Sequence, residues 1–149
     1  MNLGPNDRHF VFDNDTDLLK GYDCHGREFF RAECRNVAVG GDGFGHFGRC
    51  PRGDYEVGSP IRKGTAPFGE WFVPLLDYGA HHTMAEFERS GIGVHGGGSG
   101  LANPFSAHQG WVPTHGCLRL QNSELSRFVL WVRQAQAKGG KVYVSVCGE

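Results

Sequence analysis

The sequence predicts a mostly β domain with one substantial helix, and three observations carry that prediction. Glycine and phenylalanine are abundant, 24 and 11 of 149 residues, a combination that suits well-packed strands joined by tight turns. Short runs of strand-forming residues, broken by turn residues, recur along the chain. Helical periodicity, by contrast, shows clearly only after Asn122. At this length the simplest organisation is a single domain over 1–149, able to bury about two thirds of its unfolded surface.

Taken in order, "HFVFD", "LLKGYD" and "REFFRAECRNVAV" read as three strands of a meander within residues 1–36, with Asn14, Asp15 and Gly26 placed to turn it. "GGDGFGHFGRCPRGDYEVG" is a glycine-rich connection ending in the strand-like "DYEV". Its glycines only loosely match a nucleotide-binding loop, and no helical period follows, so nucleotide binding is rejected. Residues 58–90 mix Pro, Gly and aromatics and predict a long loop or flap, with a packed hairpin as the alternative over 68–78. "GIGVHG" is a short strand, and a second flexible connection leads to "THGC". From Asn122 or Ser123, Leu125, Phe128, Val129 and Val132 fall on one helical face, and Gly139 and Gly140 end the helix. "KVYVSV" alternates as a half-buried strand.

The charge balance, 15 basic against 16 acidic residues without a basic stripe, argues against nucleic acid as a partner. No apolar run is long enough to span a membrane. The opening "MNLGPNDRHF" lacks the basic and apolar regions of a secretory signal. Five cysteines (Cys24, Cys34, Cys50, Cys117 and Cys147) leave at least one outside any intramolecular pair; the others allow two disulfides or none. No CxxC pair suggests a zinc ribbon.

The chemistry concentrates around Cys117. A thiol attacks only as thiolate, so it needs a base and a positive local field. His95 ends an apolar strand just before three glycines, and His115 lies two residues before the thiol. Gly116 permits a sharp turn whose N–H groups can face an oxyanion. Arg119 offers a fork for a substrate carboxylate, and a helix starting near 122 would aim its positive end at this turn. Each feature also has an ordinary structural role: a packed thiol, a hydrogen-bonded histidine, an ion-paired arginine, and a Thr114 hydroxyl that caps its turn. Their ordering together favours chemistry.

"VHGG" followed by "THGCLRLQN" resembles the signature of the L,D-transpeptidase catalytic domain (the YkuD-type fold), roughly HG, a gap, then [ST]HGCxRxxN. "RCPRGDYEV" is similar to that family's TPxGxFxI strand, and the likeness covers roughly residues 37–146. The resemblance implies a β-sandwich-like fold and a cysteine enzyme acting on peptidoglycan stem peptides without a cofactor. The thiolate would attack the carbonyl between meso-diaminopimelate and the terminal D-alanine, and the acyl group would pass to an amine or to water. Carried over by position, Cys117 is the nucleophile and His95 the base, its ring oriented by the carbonyl of Gly96 or Gly97. His115 and the N–H groups of Gly116 and Cys117 form the oxyanion side. Arg119 steadies the site or binds a carboxylate, and Thr114 and Trp111 are further candidates for substrate contact.

Two departures stand out. The His95–Cys117 gap is long and contains "NPFSAHQGW", and neither a signal nor a wall-binding module accompanies the motif. The resemblance therefore extends to transpeptidase-like toxins of type VI secretion, which act in a rival's periplasm, trim or exchange stem termini, and can require an immunity protein. Two other classes compete. One is a non-catalytic peptidoglycan-binding module using Trp71, Phe72, Tyr78 and Trp111. The other is a zinc hydrolase drawing on His81, His82, His95, His108, His115 and Cys117, although no HExxH or tight ligand spacing occurs.

Overall fold

The computed structural model of the chain describes residues 2–38, 48–78, 91–114 and 116–149. Nine strands are defined: β1 (Arg8–Asp13), β2 (Leu18–Tyr22), β3 (Glu28–Arg35), β4 (Gly53–Val57), β5 (Arg62–Lys63), β6 (Trp71–Asp77), β7 (Gly93–His95), β8 (Leu118–Leu120) and β9 (Val142–Cys147). One helix among the described residues, α1 (Asn122–Ala137), falls between β8 and β9.

The strands hydrogen-bond in the order β4-β9-β1-β2-β3-β8-β7-β6-β5, and β4 also pairs with β6. That last pairing returns the array on itself, leaving β5 as a short flap on β6. Closure of this kind leaves few exposed edges. The meander β1–β2–β3 is antiparallel, whereas β9 joins β1 in parallel after the helix has crossed over.

Inside the array, Phe10 meets Phe29, Phe30 and Phe128 edge-on, with centroids 5.5, 5.5 and 4.6 Å away. The helix buries Leu125, Phe128, Val129, Val132 and Ala135 against this core, the face its spacing predicts. It ends at Gly139, which takes φ 77°. The N–H groups of Gly139 and Gly140 return to the carbonyls of Gln136 and Ala135, at 3.0 and 2.9 Å. These are the paired bonds that close a helix on a left-handed glycine.

The expectation of a long loop over 58–90 is corrected for its first part. β5 and β6 form a hairpin there, joined at Arg62↔Phe72 and Lys63↔Trp71. Both Phe72 and Val73 are buried, so β6 lacks the alternation that reveals a half-exposed strand. The remainder of that stretch, 79–90, and the glycine-rich run 39–47 lie outside the described residues. No disulfide forms: all five cysteines remain thiols.

Candidate active site

Strand register assembles the site. Arg62 on β5 stands opposite Phe72 on β6, Phe72 opposite His95 on β7, His95 opposite Arg119 on β8, and Arg119 opposite Arg35 on β3. Directly opposed residues project to one face of a sheet, so these five side chains form a row across five strands. Cys117, two residues before Arg119, points to the same face and lies diagonal to His95.

β7 and β8 run parallel with Val94↔Leu118 in register, so the position facing Cys117 is Gly93. Its N–H donates to the Cys117 sulfur at 3.4 Å, while the thiol reaches the Gly91 carbonyl at 3.7 Å. Gly93 was not among the residues singled out from sequence, because a backbone donor supplied by a neighbouring strand leaves no motif.

His95 is 2% exposed. Its Nδ1 lies 2.8 Å from the Gly96 carbonyl. A carbonyl only accepts, so Nδ1 carries the proton and Nε2 of the neutral ring holds the lone pair. Phe72 stacks on the ring with centroids 5.9 Å apart and 21° between planes, and Phe68 meets it edge-on at 5.0 Å. Burial depresses the His95 pKa to about 4; the Gly96 bond opposes that shift and the nearby Arg119 charge adds to it. The ring is therefore neutral across the physiological range.

Arg119 is 3% exposed and spends its donors on backbone. Nε donates to the Gly96 carbonyl at 3.3 Å, and Nη2 to Pro67 at 3.0 Å. Nη1 donates to Val112 and, at 3.3 Å, to Pro113. One guanidinium thus ties together the 65–69 turn, the end of β7 and the approach to Thr114. This arrangement favours steadying over the carboxylate-binding role read from sequence, since a fork committed to carbonyls has little left for a ligand. Burial lowers the Arg119 pKa, and the neighbouring Cys117 opposes that shift.

The Gly96 carbonyl therefore serves both His95 and Arg119. Behind it, Asn122 accepts the Gly97 N–H at 2.9 Å and donates to the carbonyls of Pro104 and Ser106, each at 2.7 Å. Gly97 sits at φ +62°, where an added Cβ would lie 2.2 Å from the Gly69 nitrogen. Gln109, buried in the long connection between His95 and Cys117, donates to the Leu120 carbonyl at 2.9 Å and accepts the Asn122 N–H at 2.7 Å.

This last bond corrects the expectation about the helix dipole. β8 intervenes between Cys117 and α1, and the first helical N–H groups are taken by Gln109 and by the Ala107 carbonyl at 3.1 Å. The positive end of the helix therefore faces the 97–110 loop instead of the thiol.

The turn before Cys117 also differs from its predicted use. The Gly116 N–H donates to the Thr114 hydroxyl at 3.0 Å, and that hydroxyl donates to the Cys117 carbonyl at 2.9 Å. Gly116 takes φ 106°, which favours glycine. Its N–H is thus engaged within the turn instead of facing an oxyanion. The buried Thr114 caps that turn, which disfavours substrate contact. Trp111 is half-buried beneath the Arg35 guanidinium, 5.1 Å from the ring centroid.

His115 lies outside the described residues, as do His81 and His82. His108 is exposed in the loop. Among the described residues no three metal-binding side chains converge.

The described fold and site are thus a closed β array with a buried histidine and arginine on adjacent parallel strands and a buried cysteine directly before the second of them. The chain belongs to the YkuD family of L,D-transpeptidase catalytic domains, which its sequence matches over residues 5–144. Bd1075 of Bdellovibrio bacteriovorus superposes with a TM-score of 0.66 at 13% identity, over 97% of this chain and 48% of that one. The helical cell shape determining protein Pgp2 of Campylobacter jejuni gives 0.64 at 19% identity, over 95% and 48%. L,D-transpeptidase 1 of Mycobacterium tuberculosis gives 0.52 at 12% identity, over 95% and 61%. At such identities the likeness is one of fold, and the chain spans about half the length of the first two, 48% of each. No curated protein gives a significant sequence match.

Two predictions come from this geometry. Arg119→Lys, which keeps the charge but loses the fork, costs about 2 kcal/mol in chemical denaturation because the buried Gly96 carbonyl and the part-buried carbonyls of Pro67 and Val112 lose a donor. Hydrogen exchange at Gly96–Gly98 rises with it. The second concerns pH. With its folded pKa near 4 against an ordinary 6.5, His95 imposes no penalty above about 6.5. As pH falls through that window the unfolded chain takes up a proton that the folded chain refuses, so stability declines. His95→Gln flattens this part of the stability–pH curve.

Proposed function

We propose that the chain is a cysteine-dependent acyltransferase of the L,D-transpeptidase type, acting on the tetrapeptide stems of peptidoglycan. One observation carries the reading: the β7–β8 register sets a neutral His95, Cys117 and a buried guanidinium on one face, with the Gly93 N–H on the sulfur.

The Cys117 proton passes to Nε2 of His95, and the thiolate adds to the carbonyl between meso-diaminopimelate and the terminal D-alanine. Collapse of the tetrahedral intermediate breaks the C–N bond, and His95 returns its proton to the departing D-alanine amine. A thioester remains on Cys117. An amine or a water molecule then attacks that thioester, with His95 again accepting a proton, and Cys117 leaves as the thiol. Gly96 keeps Nδ1 protonated through the cycle, and the Arg119 charge stabilises the anionic sulfur.

Attack by water gives a carboxypeptidase, by a free D-amino acid an exchange reaction, and by a second stem a crosslink. The first two outcomes, in the periplasm of a rival cell, are those of a wall-directed toxin. Cells exporting the wild-type chain would then lose shape or lyse, while cells exporting Cys117→Ala would not; protection by a co-expressed partner protein would identify an immunity protein.

The direct test is mass spectrometry of disaccharide tetrapeptide incubated with the protein, with and without D-methionine. The expected result is loss of D-alanine or its exchange for D-methionine, absent with Cys117→Ala. No turnover by folded protein whose Cys117 still reacts with an alkylating reagent would overturn the proposal and favour a peptidoglycan-binding module.

A further inference from the structure

We infer that Arg62 binds a carboxylate of the stem peptide, at a subsite on β5 at the end of the row beyond His95 and Phe72; the inference rests on the function proposed above. The row holds three arginines, and two are committed. Arg119 is engaged by backbone carbonyls. Arg35 pairs with Asp17 at 3.0 Å and with Glu33, and covers Trp111. Arg62 is different: it is exposed, and among the described residues it meets no carboxylate. Elsewhere on the surface Arg31 and Arg127 do, through Glu28 and Glu124.

Arg62 is nonetheless positioned. Its guanidinium lies over the Phe72 ring, 4.8 Å from the centroid, and Phe72 is held in turn by its stack on His95. A cation resting on an aromatic face loses less freedom when a ligand arrives than one waving in solvent. Its planar fork matches a carboxylate in two parallel hydrogen bonds.

The spacing suits an extended donor. Strands are about 4.8 Å apart, so the Arg62 guanidinium, resting over Phe72 on β6, stands about 10 Å from β8, two strands over, where Cys117 lies. An extended peptide covers that distance in about three residues. A donor lying across the row from Cys117 toward β5 would pass Phe68, which is 38% exposed and meets both Phe72 and His95 edge-on. Stem peptides supply the matching anion: D-glutamate and the second centre of meso-diaminopimelate each present a carboxylate outside the scissile bond. Alternation along β5 sends Lys63 to the opposite face from Arg62.

The test measures binding without turnover. Disaccharide tetrapeptide is titrated into Cys117→Ala and into Cys117→Ala carrying Arg62→Gln or Arg62→Lys, using donors whose stem carboxylates are free or amidated one at a time. The expected result is about a tenfold weaker Kd for Arg62→Gln with the free donor, partial recovery in Arg62→Lys, and no Arg62 dependence once the recognised carboxylate is amidated. Equal losses with free and amidated donors, or no loss with either, would overturn the inference. Turnover by the Cys117-containing chain is followed separately. Turnover without Arg62 dependence removes this subsite alone, whereas absence of both binding and turnover removes the proposed function with it.

Discussion

A guanidinium buried in protein must find acceptors for the N–H groups it brings or forfeit the cost of stripping them from water, and Arg119 makes four such bonds to carbonyls drawn from three separate segments. Because those segments are the 65–69 turn, the end of β7 and the approach to Cys117, the need to satisfy one side chain fixes the surroundings of the thiol. The Gly96 carbonyl is the joint of this arrangement. It accepts from Arg119 and from Nδ1 of His95, so the residue that anchors the loops also sets which nitrogen of the histidine is basic.

The electrostatics agree with the geometry. A histidine that is to take a proton from a thiol must be neutral beforehand, and burial together with the Arg119 charge keeps it so. A thiol that is to lose a proton needs compensation, which the Gly93 N–H and the same guanidinium offer. The stem peptide would meet this pair along a row whose outer end is Arg62 on its aromatic support. Attack and recognition are then served by side chains from one sheet, Cys117 beside β8 and Arg62 on β5 three strands away.

Much of the fold was legible in the sequence because its signals are local. The meander, α1 with its Leu125–Phe128–Val129–Val132 face, and β9 each follow from periodicity and turn residues. The hairpin of β5 and β6 could be named only as an alternative to a flap, because Phe72 and Val73 are both buried, which erases alternation. Within the site, His95, Cys117 and Arg119 could be singled out from spacing and from resemblance to a family motif. What those residues touch could not be read, since strand register is long-range information. Hence the Gly116 N–H proved engaged by Thr114, α1 faced Gln109 and Ala107 instead of the thiol, and Gly93 and Arg62 emerged only from the paired strands.

Everything proposed for this site requires Cys117 to carry the acyl group, and intact-protein mass spectrometry reads that adduct. The protein is mixed with excess tetrapeptide donor and quenched in acid within the first turnovers. The expected result is a mass gain equal to the donor less D-alanine, mapped to the peptide containing Cys117 and released by hydroxylamine. Release of D-alanine with no adduct on Cys117, or an adduct that persists in Cys117→Ala, would contradict it.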